Sequence, residues 1–493
     1  MGTRSLESFF SPKSIVIVGA SEREGSLGGA IMRNLTEGGY EGEILPLNTN
    51  DYDTVYGIKS FHRVSDLPSV PDLAIICTPA VSVPRVIKQL HALGVVAAMI
   101  LTGGIARARS WQFRPDSARI NSVIKRTRMR ILGPDCLGMV VPSRKLNASL
   151  LHVPVHSGHM AYVGQSGTLA SGVMDWAYSR QIGFSHVVTL GRSDDVTLPD
   201  LIDYIAQEPS VRTLLVQIDE IRSGRALVRS LRAASRHKLV LAVKNNRFSE
   251  SPLTTIAQPK GILHRDLLVD EVFNRAGVLR VNATDELFDC VDALGSRRER
   301  FGARLAIIAN GRGPAILAMD RLLHDKGQLA ELDDKTIQSL KAILPEYIQA
   351  QNPVLLNPEI APEQLSAVGQ ILIKDSSVDA ILFVYSPSLG ANPDANAKAV
   401  VELASGTRKT ILTSWMGEYS VEKARDAFDK ARIPTFDTPD NAVKSYMYMV
   451  RHQRTQDLLR ETPESIEIPF VISQEELQEK VFKSLKPGDF MPP

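Results

Sequence analysis

Ser14-Ile-Val-Ile-Val-Gly-Ala-Ser21 is the stretch that decides the fold of this chain. It opens with a short run of mostly β-branched apolar side chains, and Gly19 and Ala20 follow at once. Apolar residues then recur with helical spacing through Leu35. A strand, a glycine turn and a helix in this order form the first half of a βαβ unit. The sequence therefore predicts an α/β domain with a parallel sheet that begins at Ser14.

The same unit occurs two more times. Met160–Val163 is followed by Gly164-Gln-Ser-Gly167, and Arg304–Ala309 is followed by Asn310-Gly-Arg-Gly313, with helical spacing after each turn. The glycines at positions 19, 164 and 311 end the three strands and are 145 and 147 residues apart, which is about one domain length. This spacing indicates consecutive domains of one design.

Further short apolar runs alternate with helical stretches between these units. They are Leu73–Cys77, Ala97–Leu101, Leu214–Ile218, Leu239–Val243, Ala380–Val384 and Thr410–Thr413. Such alternation is typical of parallel sheets covered by helices on both faces. We therefore predict an α/β fold of three consecutive doubly wound parallel-sheet domains, Rossmann-like and flavodoxin-like. A polar segment is predicted from about Arg451 and forms a C-terminal tail.

The charge and hydropathy of the chain argue against two classes of partner. The 493 residues include 57 Lys and Arg against 55 Asp and Glu, and no stretch concentrates the basic residues as a nucleic-acid surface would. The longest apolar runs, such as Val95–Leu101, are too short to cross a bilayer. The first residues lack the apolar core of a signal peptide. We expect neither a nucleic-acid nor a membrane partner.

Cysteine and histidine usage predicts no metal site. The three cysteines, at positions 77, 136 and 290, are too far apart in the sequence for a CxxC motif or a disulfide framework. A reducing compartment fits this usage, so we predict a cytoplasmic protein. His152, His156 and His159 are neighbours in sequence, but a proline and a glycine interrupt them and no cysteine or acidic ligand completes the set.

Each glycine turn has two interpretations. A helix N-terminus carries unpaired N–H groups and a partial positive charge, so it can bind phosphate, but glycine also permits close packing of helix on strand. The first turn does not match GxGxxG, although Ser21 and Ser26 offer hydroxyls to phosphate oxygens. Ser166 in the second turn can face a phosphate or cap its helix. Arg312 in the third turn offers a cation, or lies exposed on a structural turn.

Several motifs together carry a resemblance to a known family. They are Ser11-Pro-Lys-Ser-Ile-Val-Ile-Val-Gly-Ala-Ser21, Asn34-Leu35, Pro71-Asp-Leu-Ala74, Thr78-Pro-Ala80, Gly133-Pro-Asp-Cys-Leu-Gly138, Leu146-Asn-Ala-Ser149, Gly164-Gln-Ser-Gly167, Gly191-x-x-Asp-Asp-Val196, Asn310-Gly-Arg-Gly-Pro314, Asn352-Pro353, Trp415-Met-Gly417 and Thr438-Pro439. In this order they resemble the NDP-forming acyl-CoA synthetase superfamily, whose simplest member is the α subunit of succinyl-CoA synthetase. Within that superfamily, Thr413–Ser420 and Arg451–Pro463 resemble the ligase-like front half of bacterial protein lysine acetyltransferases.

The resemblance implies a domain plan and a set of ligands. It places a CoA-binding Rossmann-like domain at residues 8–140, a succinyl-CoA-ligase-like flavodoxin-type domain at 150–297, a second such domain at 302–455, and a linker or docking tail at 456–493. The implied cofactor is CoA or acyl-CoA, while ATP or ADP with Mg reaches the chain only through a partner. That partner is an ATP-grasp or acetyltransferase protein, and we expect the chain to form an oligomer.

The resemblance also implies the site residues. The CoA thioester would be held by Gly19, Ser21, Gly25, Ser26, Asn50, Thr78, Pro79 and Ala80. A phosphoryl group on a histidine would face Gln165, Ser166 and Gly167, and Asp219 or Glu220 would orient that histidine. Two positions in the first domain differ from the family pattern: Asn50 replaces a common Lys, and Asp135 replaces an Asn.

The phosphorylated histidine is the most important difference. By resemblance it falls at Gln258, and an amide cannot accept a phosphoryl group as histidine does. His264, six positions further on, can replace it only if the loop is rebuilt. Our preferred hypothesis is therefore a CoA- or acyl-CoA-binding protein that has lost the phosphohistidine step and acts as a sensor or regulatory subunit. The alternative is an active α subunit of an ADP-forming acyl-CoA (acetyl-CoA) synthetase, an acid-thiol ligase that uses His264. A structural scaffold, the third hypothesis, would bind no CoA.

Overall fold

The computed structural model places three mainly parallel sheets one after another along the chain. It describes residues 5–50, 52–103, 114–245, 265–282 and 302–460, together with residues 3, 286, 289 and 290. Within these residues, no helix combines the length and the hydropathy needed to cross a membrane.

The first sheet has five parallel strands in the order β2-β1-β5-β6-β7. Its elements are α1 (Glu7–Phe10), β1 (Ser14–Val18), α2 (Leu27–Glu37), β2 (Glu43–Leu47), the hairpin β3 (Thr54–Val55) and β4 (Ile58–Lys59), β5 (Leu73–Ile76), α3 (Val83–Leu93), β6 (Ala97–Ile100), α4 (Arg114–Arg126) and β7 (Arg130–Leu132). The strand β1 lies inside the sheet between β2 and β5 and is buried from Ile15 to Val18, as its unbroken apolar run requires in a sheet covered on both faces.

The second sheet has seven strands in the order β14-β13-β12-β10-β11-β8-β9. Its elements are β8 (Gly138–Val141), β9 (Leu146–Ser149), β10 (His156–Gly164), α5 (Gly167–Ser179), β11 (Gly183–Thr189), α6 (Leu198–Ile205), β12 (Thr213–Ile218), α7 (Gly224–Ser235), β13 (Leu239–Lys244), α8 (Arg265–Ala276) and β14 (Leu279–Val281). The strands from β10 onward are mutually parallel, whereas β8 pairs antiparallel with both β9 and β11.

The third sheet is parallel and has the order β16-β15-β18-β19, with β17 also paired to β15. Its elements are β15 (Arg304–Ala309), α9 (Arg312–His324), β16 (Gln328–Leu329), α10 (Asp334–Ile343), β17 (Val354–Leu355), α11 (Pro362–Lys374), β18 (Ala380–Tyr385), α12 (Pro393–Ser405), β19 (Thr410–Trp415), α13 (Glu422–Ala431) and α14 (Pro439–Arg460). The helix α14 continues past Arg451, where the sequence predicted a polar segment.

The first two sheets share one hydrophobic core. Phe10 of the first domain stacks on Tyr204 of the second with ring centroids 4.9 Å apart, and meets the His186 ring edge-on at 5.5 Å. The amide of Asn34 in α2 donates to the Ser149 carbonyl at 2.8 Å. These contacts pack the first two sheets against each other, while the predicted site residues follow the carboxyl ends of β1, β5, β10 and β12.

The predicted fold class is confirmed. The strands expected from the sequence are all present, and their ends lie within two residues of the prediction, except that β10 begins at His156 rather than Met160. The structure adds strands that the sequence analysis did not name, among them β2, β7, β11 and β14, and the antiparallel hairpin β8–β9 departs from the expected parallel pattern.

Candidate functional site

The turn after β1 brings α2 into close contact with the sheet. Gly19 has a φ of 94°, and a Cβ at Gly28, in the first turn of α2, would lie 1.9 Å from the Gly19 carbonyl oxygen. No side chain therefore fits at position 28. Ser26 caps α2, since its Oγ accepts from the Gly29 N–H at 3.1 Å and donates to the Arg23 carbonyl at 2.7 Å. The packing role of this glycine turn is thus visible in the structure, and the phosphate role stays a prediction.

The turn after β5 lies against the turn after β1. A Cβ at Gly19 would be 3.2 Å from Thr78 Cγ2, so the two loops touch. The chain adds β2 on one side of β1 and then β5 on the other, so the strand order reverses between β1 and β5. Such a switch point opens a crevice at the carboxyl ends of the strands. Ser21 lies at this edge with its Oγ accepting from the Arg23 N–H at 3.0 Å, and Pro79 and Ala80 continue the second loop.

Three observations at this edge suit a polar ligand such as CoA. Thr78 Oγ1 is buried and has no hydrogen-bond partner within the described part of the chain, so a ligand can satisfy it. Asn50 is exposed, and its backbone N–H donates to the Asn48 side chain, which in turn donates to the Ala20 carbonyl at 2.6 Å in the turn after β1. Gly25, with a φ of 71°, has no atom within 4 Å of its Cβ position and leaves open space at the turn. The residues present therefore fit CoA.

Two glutamines connect the second glycine turn by hydrogen bonds to the end of β12 and to the turn that follows it. Gln217, at the end of β12, accepts through Oε1 from the backbone N–H groups of Gln165 and Ser166 at 2.9 and 2.8 Å. The Gln165 side chain accepts from the N–H groups of Asp219 and Glu220 at 2.6 and 2.8 Å, and donates to the Glu220 carbonyl at 2.9 Å. Gln165 therefore holds the Asp219–Glu220 turn in place. Sequence reasoning missed Gln217, although its position at the end of β12, beside the turn that follows β10, could have indicated this role.

The two acidic candidates have different surroundings. Asp219 Oδ1 accepts from the side chains of Gln217 and Asn245 at 2.7 and 3.0 Å. Glu220 Oε2 accepts from Arg222 at 3.2 Å, whereas its Oε1 is buried and has no hydrogen-bond partner among the described residues. Glu220 is thus the carboxylate that can accept a hydrogen bond from a further group, such as an imidazole N–H.

The N-terminus of α5 completes this site. Ser166 caps the helix by accepting from the Leu169 N–H at 3.3 Å, and its Oγ lies 3.3 Å from Thr168 Oγ1. Gly167 packs against the first domain, because a Cβ there would be 3.1 Å from Leu137 Cβ. The helix N-terminus, two hydroxyls and the Glu220 carboxylate are therefore grouped where the first two domains meet.

Charged residues that sequence reasoning did not assign surround this group. Arg222 NH1 donates to the Arg192 carbonyl at 2.8 Å, and Arg192 pairs with Asp194 at 3.4 Å. Burial raises the pKa of the Asp194 carboxyl. Lys244 donates to the Asp219 carbonyl at 2.9 Å, and burial lowers the pKa of this amine although Asp219 acts in the opposite direction. The Gly191-x-x-Asp-Asp-Val196 motif was the available signal for Arg192 and Asp194.

The remaining predicted features lie apart from this site or outside the described residues. The Asn310 side chain bridges two loops, accepting from the Ser386 N–H at 2.7 Å and donating to the Ser386 and Pro358 carbonyls at 2.8 and 3.1 Å. Arg312 is exposed beside it, as a structural turn requires. No cluster of three or more potential metal ligands occurs in the described part of the chain. Gln258 and His264 lie outside the described residues.

Comparison with known proteins agrees with this geometry. A family described as "CoA binding domain" matches residues 13–142, and one described as "Succinyl-CoA ligase like flavodoxin domain" matches residues 157–294. The "Acetate--CoA ligase [ADP-forming]" of Methanocaldococcus jannaschii is 30% identical over 474 residues, which are 95% of this chain and 66% of that protein. The chain belongs to the NDP-forming acyl-CoA synthetase superfamily.

Two further relatives show how far the similarity to other superfamily members extends. The "Acetate--CoA ligase [ADP-forming] II subunit alpha" of Pyrococcus furiosus is 29% identical over 91% of this chain and 98% of its own length. A solved structure, "Ca. Korarchaeum cryptofilum dinucleotide forming Acetyl-coenzyme A synthetase 1 in complex with phosphate and ADP", matches with a TM-score of 0.81 and 25% identity over 92% of this chain and 98% of that chain. The expected cofactors, CoA at the first domain and ADP or ATP through a partner, agree with these findings. The resemblance to protein lysine acetyltransferases stays a prediction.

Proposed function

We propose that this chain is the CoA-binding, α-type part of an ADP-forming acyl-CoA synthetase, which works with an ATP-grasp partner. The observation that carries the proposal is the buried, unpartnered Oε1 of Glu220 beside the α5 N-terminus. A carboxylate oxygen left in this way costs free energy unless another group donates to it. A phosphorylatable histidine supplies such a donor and carries a phosphoryl group toward the helix N-terminus. The relatives named above support this alternative more than the sensor hypothesis.

In this proposal each domain has one task. The first binds the CoA thioester at the Ser21, Ser26 and Thr78 edge, where phosphate attacks the acyl carbon, the thioester bond breaks and CoA leaves as the thiol, giving an acyl phosphate. In the second domain a histidine nitrogen takes the phosphoryl group and the carboxylate leaves, with Glu220 orienting the ring and the α5 N-terminus stabilising the negative charge. His264 is the histidine of residues 246–264 and is our candidate. The partner then transfers the phosphoryl group to ADP.

The test is a half-reaction that the chain performs without its partner. Purified full-length chain is incubated with acetyl-CoA and ³²P-phosphate, and we expect acid-labile, base-stable label on the protein. The His264→Ala variant should lose the label, and Glu220→Gln should reduce it. His62→Ala is the matched control, since His62 is exposed in the first domain and should leave labelling unchanged. Full labelling of His264→Ala would refute the assignment of this residue.

A second candidate function rests on Gln258. If this residue occupies the histidine position, the chain binds CoA or acetyl-CoA without phosphoryl transfer and regulates an ATP-grasp or acetyltransferase partner. Calorimetric titration with CoA and with acetyl-CoA, read together with the labelling experiment, distinguishes the regulator from the synthetase. Binding that is lost in Ser21→Asp, together with no labelling of the native chain, supports regulation. Absence of binding refutes both functions and favours a scaffold.

A further inference from the structure

An apolar groove lies between α7 and α8 on the second domain. Its volume is about 880 Å³, and its floor includes Leu227 and Phe273, which belong to the core. Along α8, Leu268 and Val272 remain 56% and 37% exposed. Contiguous apolar surface of this kind marks a place where another segment binds. Within the described part of the chain, nothing covers it.

The wall of the groove that faces α8 is formed by α7, and four arginines lie along one face of this helix and its C-terminal cap. Arg225, Arg229, Arg232 and Arg236 are spaced by four, three and four residues, which places them along one side of the helix, and all four are exposed. Arg229 pairs with Asp203 at 3.7 Å. The other three have no acidic partner among the described residues. The groove therefore suits an occupant that is both apolar and acidic.

The helix α14 ends beside this groove. The Gln456 side chain donates to the Ser235 carbonyl at 3.1 Å, which fixes the last turn of α14 beside the C-terminal end of α7. The helix ends four residues later at Arg460, a rise of about 6 Å. The chain therefore leaves α14 near Arg232 and Arg236.

The sequence of the tail complements the groove. Residues 461–479 contain six glutamates and no lysine or arginine. Four apolar residues alternate within this stretch, at Ile466, Ile468, Phe470 and Ile472, so an extended backbone presents them on one side. Seven extended residues span about 20 Å, and the twelve residues of α7 span about 18 Å. The length, the charge and the hydropathy of this tail segment therefore all match the groove.

We propose that residues 464–479 bind in the groove between α7 and α8 of the same chain. The apolar side chains cover Leu268 and Val272, and the glutamates pair with Arg225, Arg232 and Arg236. This interaction is independent of the proposed catalytic function, because none of these residues belongs to the CoA or phosphate edge.

Hydrogen exchange of the full-length chain, followed by mass spectrometry, tests the proposal. Amides of residues 465–479 should exchange at least about 10-fold more slowly than in a free peptide of the same sequence. In Arg232→Glu/Arg236→Glu this protection should fall to about 2-fold or less, and adding Glu464→Arg/Glu467→Arg should restore most of it. The matched control is Lys398→Glu/Arg408→Glu, which reverses two exposed charges in the third domain and should leave the protection intact.

Three outcomes would overturn the proposal. The first is exchange of residues 465–479 at the free-peptide rate in the native chain. The second is protection that the arginine reversals leave unchanged. The third is protection that disappears on tenfold dilution of the protein, which would assign the groove to a second copy instead. Leu268→Ser, a change of an exposed side chain that leaves the core intact, should lower the protection through the apolar contact alone.

Discussion

Arg130 joins the first two domains through a buried ion-pair cluster, and replacing it should weaken their junction strongly. Its Nε and NH2 groups donate to Asp195 and Asp200, each at 3.1 Å, and the three side chains are only 6%, 8% and 14% exposed. Asp195 also accepts from the Ile131 N–H at 2.7 Å, which links it to β7. In Arg130→Met a similar volume is retained, but two carboxylates lose their counter-charge.

Removing one partner of a buried ion pair costs about 3–5 kcal/mol, because the remaining charge stays desolvated. For a cooperative unit of about 150–250 residues, each kcal/mol lowers the melting midpoint by about 2–4 °C, so Arg130→Met should lower the first calorimetric transition by about 6–20 °C. The matched control is Arg275→Met. Arg275 pairs with Glu271 at 3.0 Å, but the two side chains are 80% and 58% exposed. Such a pair contributes about 0.3–0.5 kcal/mol, so its loss should shift the midpoint by at most about 2 °C. Equal shifts in the two variants would refute the buried-pair reasoning.

Three other predictions concern the CoA edge and the domain junction. Gly28→Ala should weaken CoA binding at least about 10-fold in calorimetry, because the alanine methyl group would overlap the Gly19 carbonyl oxygen. The control is Gly172→Ala, which should leave binding unchanged because there is open space around the position of its Cβ. Asn50→Lys should strengthen CoA binding up to about 5-fold at low salt and less at high salt, since the added charge is exposed. Burial lowers the pKa of His186 to about 4, so the folded protein binds a proton there less readily than the unfolded chain does. The free energy of unfolding should therefore fall by about 3 kcal/mol as the pH drops from about 6.5 to about 4. The His186→Phe variant should lose this part of the pH dependence in urea titrations.

The sequence predicted the three sheets well because their strands are unbroken apolar runs. Ser14–Val18 and Arg304–Ala309 match the observed strands residue for residue, since parallel strands buried on both faces leave a strong local signal. The hairpin β8–β9 has no such signal. Its strands have four residues each, and their place in the second sheet depends on antiparallel pairing with β11, a contact between segments far apart in sequence.

The site was only partly predictable for a similar reason. The resemblance indicated the turns after β1 and β10, and the structure places Ser21 and Thr78 at one edge. The role of Gln217 depends on where its amide lies relative to the turn after β10, which is a tertiary relation with no local pattern. The choice between Asp219 and Glu220 likewise required knowing which carboxylate already had partners.

The hydrogen bonds around Glu220 bear on both candidate functions. The Gln165 side chain accepts two hydrogen bonds from the Asp219–Glu220 turn and donates one to it, yet one Glu220 oxygen stays buried without a donor among the described residues. Such an oxygen needs an N–H donor, which the synthetase hypothesis assigns to the imidazole of His264 and the regulator hypothesis to the amide of Gln258. The synthetase and the regulator therefore both require a donor at Glu220, and they differ in whether that donor carries a phosphoryl group. For this reason Glu220→Gln should reduce ³²P labelling in a synthetase while leaving CoA affinity unchanged. In a regulator, the same change has no labelling to reduce and should likewise leave CoA affinity unchanged.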